Sequence, residues 1–129
     1  MKDKLLGVHP TVIVRVARIL DALVALQAPA IVTAGVRSVS EQQALYAQGR
    51  TRPGRIVTNV DGVIRRSNHQ LKDDGFGHAV DIAFLDDRGK PSWEEHHPWE
   101  LLGAMARQQG LVWGGDWKSI VDRPHVELP

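Results

Sequence analysis

Two stretches of this chain crowd together side chains that bind metals and move protons: SNHQLKDDGFGHAVDI at residues 67–82 and WGGDWKSIVDRPHVEL at residues 113–128. Imidazole and carboxylate are the ligands of hydrolytic zinc sites. Such a site takes three protein ligands, leaves a position open for water, and keeps a carboxylate nearby to accept that water's proton. His69, Asp81 and His125 are candidates for the three ligands, and Asp122 for the base. Two neutral imidazoles and one carboxylate would leave a divalent ion with a net charge near +1, which keeps it able to polarise a carbonyl and to draw the pKa of a water towards ~7. The chain has no cysteine. Thiolate zinc sites, thiol nucleophiles and disulfides are therefore excluded together, and any metal must rest on His, Asp or Glu.

His78 is the competing imidazole. In a regular strand, side chains an even number of residues apart share a face, and His78 stands three residues before Asp81, which turns it away. A β-bulge would reverse that argument, so His78 stays as the alternative to His69. Ala79 does share a face with Asp81 and leaves room beside a metal. In DRPH, Pro124 fixes its own φ near −65° and pushes Arg123 towards extended geometry, so Asp122 and His125 flank a bend rather than one helical turn. Such a bend aims both side chains into one cleft while holding Asp122 outside the ligand set. Taken alone, Asp122 has a plainer reading, as a cap or an ion pair with Arg123. His9 precedes a helix, and His96 and His97 stand in an HHPW run that reads as a helix start; all three read as structural or solvated.

The elements that must position these residues are visible in the hydrophobic pattern. Val12, Ile13, Val16, Ala17, Ile19, Leu20, Leu23 and Val24 recur at three- and four-residue intervals, which predicts an amphipathic helix over residues 10–27. AIVTA, residues 30–34, is β-branched and short, a strand. Ser38 or Ser40 offers an N-cap, with Glu41 in the first turn, for a second helix through Gln48 that Gly49 ends. Residues 49–68 read as a long loop with a short strand at 55–58; loops of this length are usually functional or disordered. A buried strand follows at 77–85, a turn at 86–90, and a helix at 98–109 ended by Gly110. From Val112 onward come a strand, a Gly-rich turn and a last strand at 125–128. Trp113 and Trp117 flank that turn, either walling a cleft or filling the core. Successive strands too close for crossover helices predict a small antiparallel sheet flanked by helices, an α+β fold in one domain over 1–129.

Charge excludes several partners. Sixteen Lys and Arg against fifteen Asp and Glu leave a formal charge of +1, no global field that calls for a nucleic acid or a membrane. Arg50, Arg52, Arg55, Arg65 and Arg66 are nevertheless concentrated in the long loop, with Asp61 their only acid; the stretch reads as a solvated loop, or as a rim that touches anions. No phosphate-cradling Gly-rich loop occurs, and aromatics do not interleave with the basic residues, which argues against a nuclease. No run reaches the ~18 apolar residues of a membrane span, and MKDKLLGVHP lacks a signal peptide's apolar core. Synthesis in the cytoplasm without stable membrane association is the expectation.

SNH followed by GHAVD resembles the S-x-H…G-x-A-x-D signature of the zinc D-Ala-D-Ala carboxypeptidase and L-alanyl-D-glutamate endopeptidase family, whose fold is shared with lysostaphin-type and hedgehog-type domains. DRPH resembles that family's acid-x-x-His element. LLGVHP, TAGVRSVSEQQALYAQGRT and WGGDWKS are similar to phage endolysins of the L-alanyl-D-glutamate peptidase group. The resemblance implies one zinc ion on His69, Asp81 and His125, Asp122 as catalytic base, and Arg37 stabilising the oxyanion, a role that a fixed planar cation suits. It also implies that Gln42 and Ser67 line the cleft, though Gln42 read alone is an exposed helix residue and Ser67 a turn residue. One departure stands out: the family's compact form places the first His seven residues before the Asp, and here KDDGF widens the interval to twelve, a length that a surface loop absorbs at little entropic cost. The implied activity is hydrolysis, without a covalent enzyme intermediate, of the L-alanyl-D-glutamate bond in the peptidoglycan stem, in the periplasm or cell wall. A holin would be the functional partner for export and a monomer the expected state. A D,D-carboxypeptidase or dipeptidase of the same family, or a non-catalytic cell-wall module with a structural metal, are the alternatives.

Overall fold

A computed structural model describes residues 3–129. Helix α1 (Pro10–Ala25) starts where its sequence allows: Pro10 takes the first helical position, and the Nδ1 of His9 accepts the amide of Thr11 at 3.0 Å as an N-cap. Val12, Val16, Ile19 and Leu23 form its buried stripe. The helix closes two residues short of the predicted end because Gln27 turns to φ 61, in the left-handed region. Strand β1 (Ala30–Ala34) follows, then α2 (Val39–Ala47), whose N-cap Ser38 exchanges hydrogen bonds with Glu41 in a capping box.

Strand β2 (Ala79–Leu85) is the axis of the sheet. A two-residue β3 (Pro91–Ser92), not anticipated from the sequence, pairs with its end; α3 (Trp99–Gln108), β4 (Val112–Trp113), a short 3-10 turn (Gly114–Asp116) and β5 (His125–Glu127) complete the order. The sheet runs β1-β2-β5-β4, antiparallel throughout. Alternation along β2 divides its chemistry between two faces. Val80, Ile82 and Phe84 enter the core with the α1 stripe and with Trp99, Leu102, Ala106, Trp113 and Val126, whereas Asp81 stands on the opposite face.

Register then does the positioning. Asp81 is the Cα partner of His125 on β5 and of Ala34 on β1. The β1 pairing slips between Val32 and Ala34, so a β-bulge lies directly beside Asp81, a device that re-aims neighbouring side chains.

The strand expected at residues 55–58 does not form. A ladder needs a partner strand, and here the loop's carbonyls are taken by side chains instead: Gln48 Nε2 donates to Arg55 O at 2.9 Å, Arg50 Nη1 to Thr58 O at 3.0 Å and Gln42 Nε2 to Val60 O at 2.7 Å. Among the described residues no helix is long and apolar enough to cross a membrane.

Candidate metal centre

Three elements carry one residue each to a common point. Asp81 comes from the middle of β2, His125 opens β5 directly across from it, and His69 stands in a turn. That turn is stitched from both sides: Ser67 Oγ accepts the His69 amide at 3.1 Å, the buried Gln70 bonds Ser67 N and Gly62 O, and the His69 carbonyl accepts the Arg37 amide at 2.8 Å. The KDDGF insertion leaves the turn after His69 and returns through His78, whose amide donates to Asn68 O at 2.8 Å. The extra length therefore forms its own loop without disturbing the face on which Asp81 lies.

His69 Nε2 lies 3.1 Å from His125 Nδ1 and 3.2 Å from Asp81 Oδ1, and His125 Nδ1 lies 3.6 Å from the same oxygen. The outer nitrogens settle what these atoms are. His69 Nδ1 faces the Gly35 carbonyl at 2.9 Å, and His125 Nε2 faces Glu127 Oε1 at 2.6 Å. A carbonyl and a carboxylate only accept, so each outer nitrogen carries the proton and each inner nitrogen presents a lone pair. Asp81 Oδ1 is buried with no hydrogen-bond partner. Three acceptors thus face one another where a cation would satisfy them all. Zinc bonds of about 2.0–2.1 Å set tetrahedral ligands roughly 3.3 Å apart, which the observed spacing brackets, so this donor set fits the ion.

A proton is the cation that competes for these acceptors. Burial opposes the charged imidazolium of His125, but hydrogen bonds to Asp81 and Glu127 outweigh it and push the pKa up to about 9. Burial likewise opposes ionisation of Asp81, yet the imidazoles of His125 and His69 beside it hold its carboxyl well below the usual carboxylate range.

Around this trio stand the remaining polar groups. Asp122 Oδ2 is 3.8 Å from His125 Nδ1, near the trio but outside it, and among the described residues it makes no ion pair with Arg123. Burial and then the Asp81 carboxylate raise its pKa, against the nearby His125, His69 and Arg37. Gly114 makes this geometry possible, since a Cβ there would meet the Asp122 carbonyl at 2.3 Å and His125 Cβ at 3.0 Å. Arg37 Nη2 is 3.7 Å from Asp81 Oδ2, and its Nη1 donates to Gln42 Oε1 at 2.8 Å. Gln42 is neither exposed nor on the cleft wall: fully buried, it stands behind Arg37 and ties that guanidinium to the loop at Val60.

A cleft of about 200 Å³ opens beside the trio, lined by Arg37, Ser67, Trp117, Asp122, His125 and Glu127 among others. The two tryptophans divide the roles left open by the sequence. Trp117 walls the cleft, its ring 4.8 Å from that of His125, and Trp113 is a core residue whose indole N–H donates to Arg123 O at 2.6 Å. His78 faces away, bonded to Asp74 at 2.7 Å and edge-on to His9. Sequence reasoning missed Glu127 and its donor Asn68, which hold His125 from behind. The signal was present in β5, where residues two apart share a face.

The chain is similar to several known proteins. The model of a family described as D-alanyl-D-alanine carboxypeptidase matches residues 62–128, the segment that carries His69, Asp81, Asp122 and His125. The peptidoglycan L-alanyl-D-glutamate endopeptidase CwlK of Bacillus subtilis (strain 168) is 36% identical over 106 residues, which are 76% of this chain; the chain spans 59% of that relative's length. The L-Ala D-Glu endopeptidase ChiX of Serratia marcescens superposes with a TM-score of 0.64 at 32% identity, over 98% of this chain and 84% of that one. The vancomycin-resistance D,D-pentapeptidase VanY, solved in complex with Zn(II), gives a TM-score of 0.63 at 20% identity, over 94% and 72%, and shares the fold.

Proposed function

The chain belongs to the D-alanyl-D-alanine carboxypeptidase family, and from that premise we propose that it is a zinc-dependent peptidase that hydrolyses the L-alanyl-D-glutamate bond of the peptidoglycan stem. One observation carries the reading: a buried carboxylate oxygen without a hydrogen-bond partner faces two imidazole lone pairs, with a further carboxylate 3.8 Å away. A closed structural site would need no such neighbour. The choice of bond is supported by the names of the relatives CwlK and ChiX, both L-alanyl-D-glutamate endopeptidases.

His69, Asp81 and His125 would hold the zinc. When bound, the ion supplies Lewis acidity, polarising the amide carbonyl and acidifying water. Asp122 takes the proton from the attacking water and returns it to the leaving nitrogen, a task suited to a carboxylate whose pKa is raised. Arg37, held rigid by Gln42, directs its guanidinium at the oxyanion. Trp117 closes the side of the cleft next to His125. Ser67 acts through the turn that presents His69. The substrate lies in the cell wall, and the likeness to phage endolysins supports host lysis with a holin as the means of release.

Incubating the zinc-loaded protein with synthetic stem peptides and weighing the products tests the reading. Fragments ending at L-Ala are expected. Release of D-Ala alone would shift the assignment to a D,D-carboxypeptidase, the activity named in the family's description.

A further inference from the structure

The cleft does not end at the metal centre. It continues between the loop at 58–60 and the turn at 117–120 into a second depression, with Thr58, Val60 and Trp117 common to both. Arg65 and Lys118 line this extension, and no acidic residue does. Among the described residues neither side chain is engaged in an ion pair or a side-chain hydrogen bond. The walls are nonetheless fixed. Asp61 Oδ1 accepts the amides of Val63, Ile64 and Arg65, each at 3.0 Å, which sets the backbone that carries Arg65. Arg50 clamps Thr58 O and Asn59 Oδ1. On the facing turn Ile120 sits at φ 45, where β-branched residues are rarely found, so the shape of that turn is imposed by its surroundings.

Two uncompensated cations in a depression joined to a catalytic cleft favour a carboxylate. The proposed substrate has one in place: a D-glutamyl residue bears two carboxyl groups, and whichever carries the chain onward, the other stays free within a few bonds of the scissile nitrogen. We propose that Arg65 and Lys118 form a subsite for this free carboxylate and make the protein select D-glutamyl stems over stems in which that carboxyl is amidated. This rests on the proposed activity. The other cations beside the cleft are otherwise engaged. Arg37 is bonded to Gln42 and lies against Asp81, and Arg66 Nη2 donates to the Leu71 carbonyl at 3.5 Å.

The test is steady-state cleavage of two synthetic stem peptides, one with the free carboxylate and one with its amide, by the zinc-loaded wild type, R65Q, K118Q and, as a control, R66Q. Arg65→Gln and Lys118→Gln are each expected to raise KM for the acid peptide by about tenfold, leave kcat unchanged, and leave the amidated peptide unaffected. Added salt should narrow the wild type's preference. Equal losses on both peptides, no loss on either, or a selective loss only in R66Q would overturn the subsite while leaving the activity intact. A wild type that cuts neither peptide at this bond would overturn the activity, and the subsite with it.

Discussion

Asp122 Oδ2 stands 3.8 Å from His125 Nδ1, and the proposed mechanism gives it a proton to handle rather than a metal. Asp122→Asn keeps its shape and removes its basicity, so zinc content should be unchanged while turnover falls roughly 10²–10⁴-fold, read by metal analysis alongside peptide cleavage. Loss of zinc in that variant would move Asp122 into the ligand set. Glu127 makes the opposite case, since it touches His125 Nε2 and not the centre of the trio. Glu127→Ala leaves the imidazole free to rotate and to change tautomer, and zinc affinity measured against a competing chelator should drop about 10–100-fold. Titration of His125 has a definite sign. Its pKa of about 9 in the metal-free chain exceeds the ~6.5 of an unfolded histidine, so its bonds to Asp81 and Glu127 stabilise the fold fully below about pH 6.5 and this is lost as pH rises through about 9. The melting midpoint of chelator-treated protein should fall across that interval. Zinc competes with the same proton, so its apparent affinity should rise over the interval instead.

Elements set the site through register and close approach. The 3-10 turn passes so near the Asp122–His125 bend that Gly114→Ala must push the backbone aside, and we expect a loss of about 1–3 kcal/mol of stability together with most of the activity. Leu23→Ala, in the buried stripe of α1, should cost more stability, about 2–5 kcal/mol, yet leave the zinc affinity of the folded protein unchanged, because that stripe supports the sheet's other face. Denaturant midpoints paired with zinc titration separate the two effects. The long loop shows how an element can be ordered without secondary structure: Gln42, Gln48 and Arg50 replace the missing ladder with side-chain donors.

For the molecule as a whole, the proposed zinc would be linked to the fold. Removing zinc leaves converging acceptors at the seam where β2, β5 and the His69 turn meet, so a chelator should lower the melting midpoint, and zinc at a hundredfold over its Kd should add about 2.7 kcal/mol by mass action. An unchanged midpoint under both treatments would place the ion elsewhere. The sequence by itself limited any metal ligands to His, Asp and Glu, since the chain has no cysteine, and it determined the face of Asp81, since side-chain direction in a strand follows from parity alone. It also determined most of α1, α2 and α3 and the antiparallel class of the sheet, because hydrophobic period, caps and short connections are local properties. It left open whether Trp113 or Trp117 walls the cleft, and it gave no sign that a buried Gln42 holds Arg37 or that Asn68 reaches Glu127 behind His125. Those were decided by tertiary structure, because each depends on which residues the β2–β5 register and the folding of residues 49–68 bring across from one another, and contacts between distant parts of a chain leave no period to read.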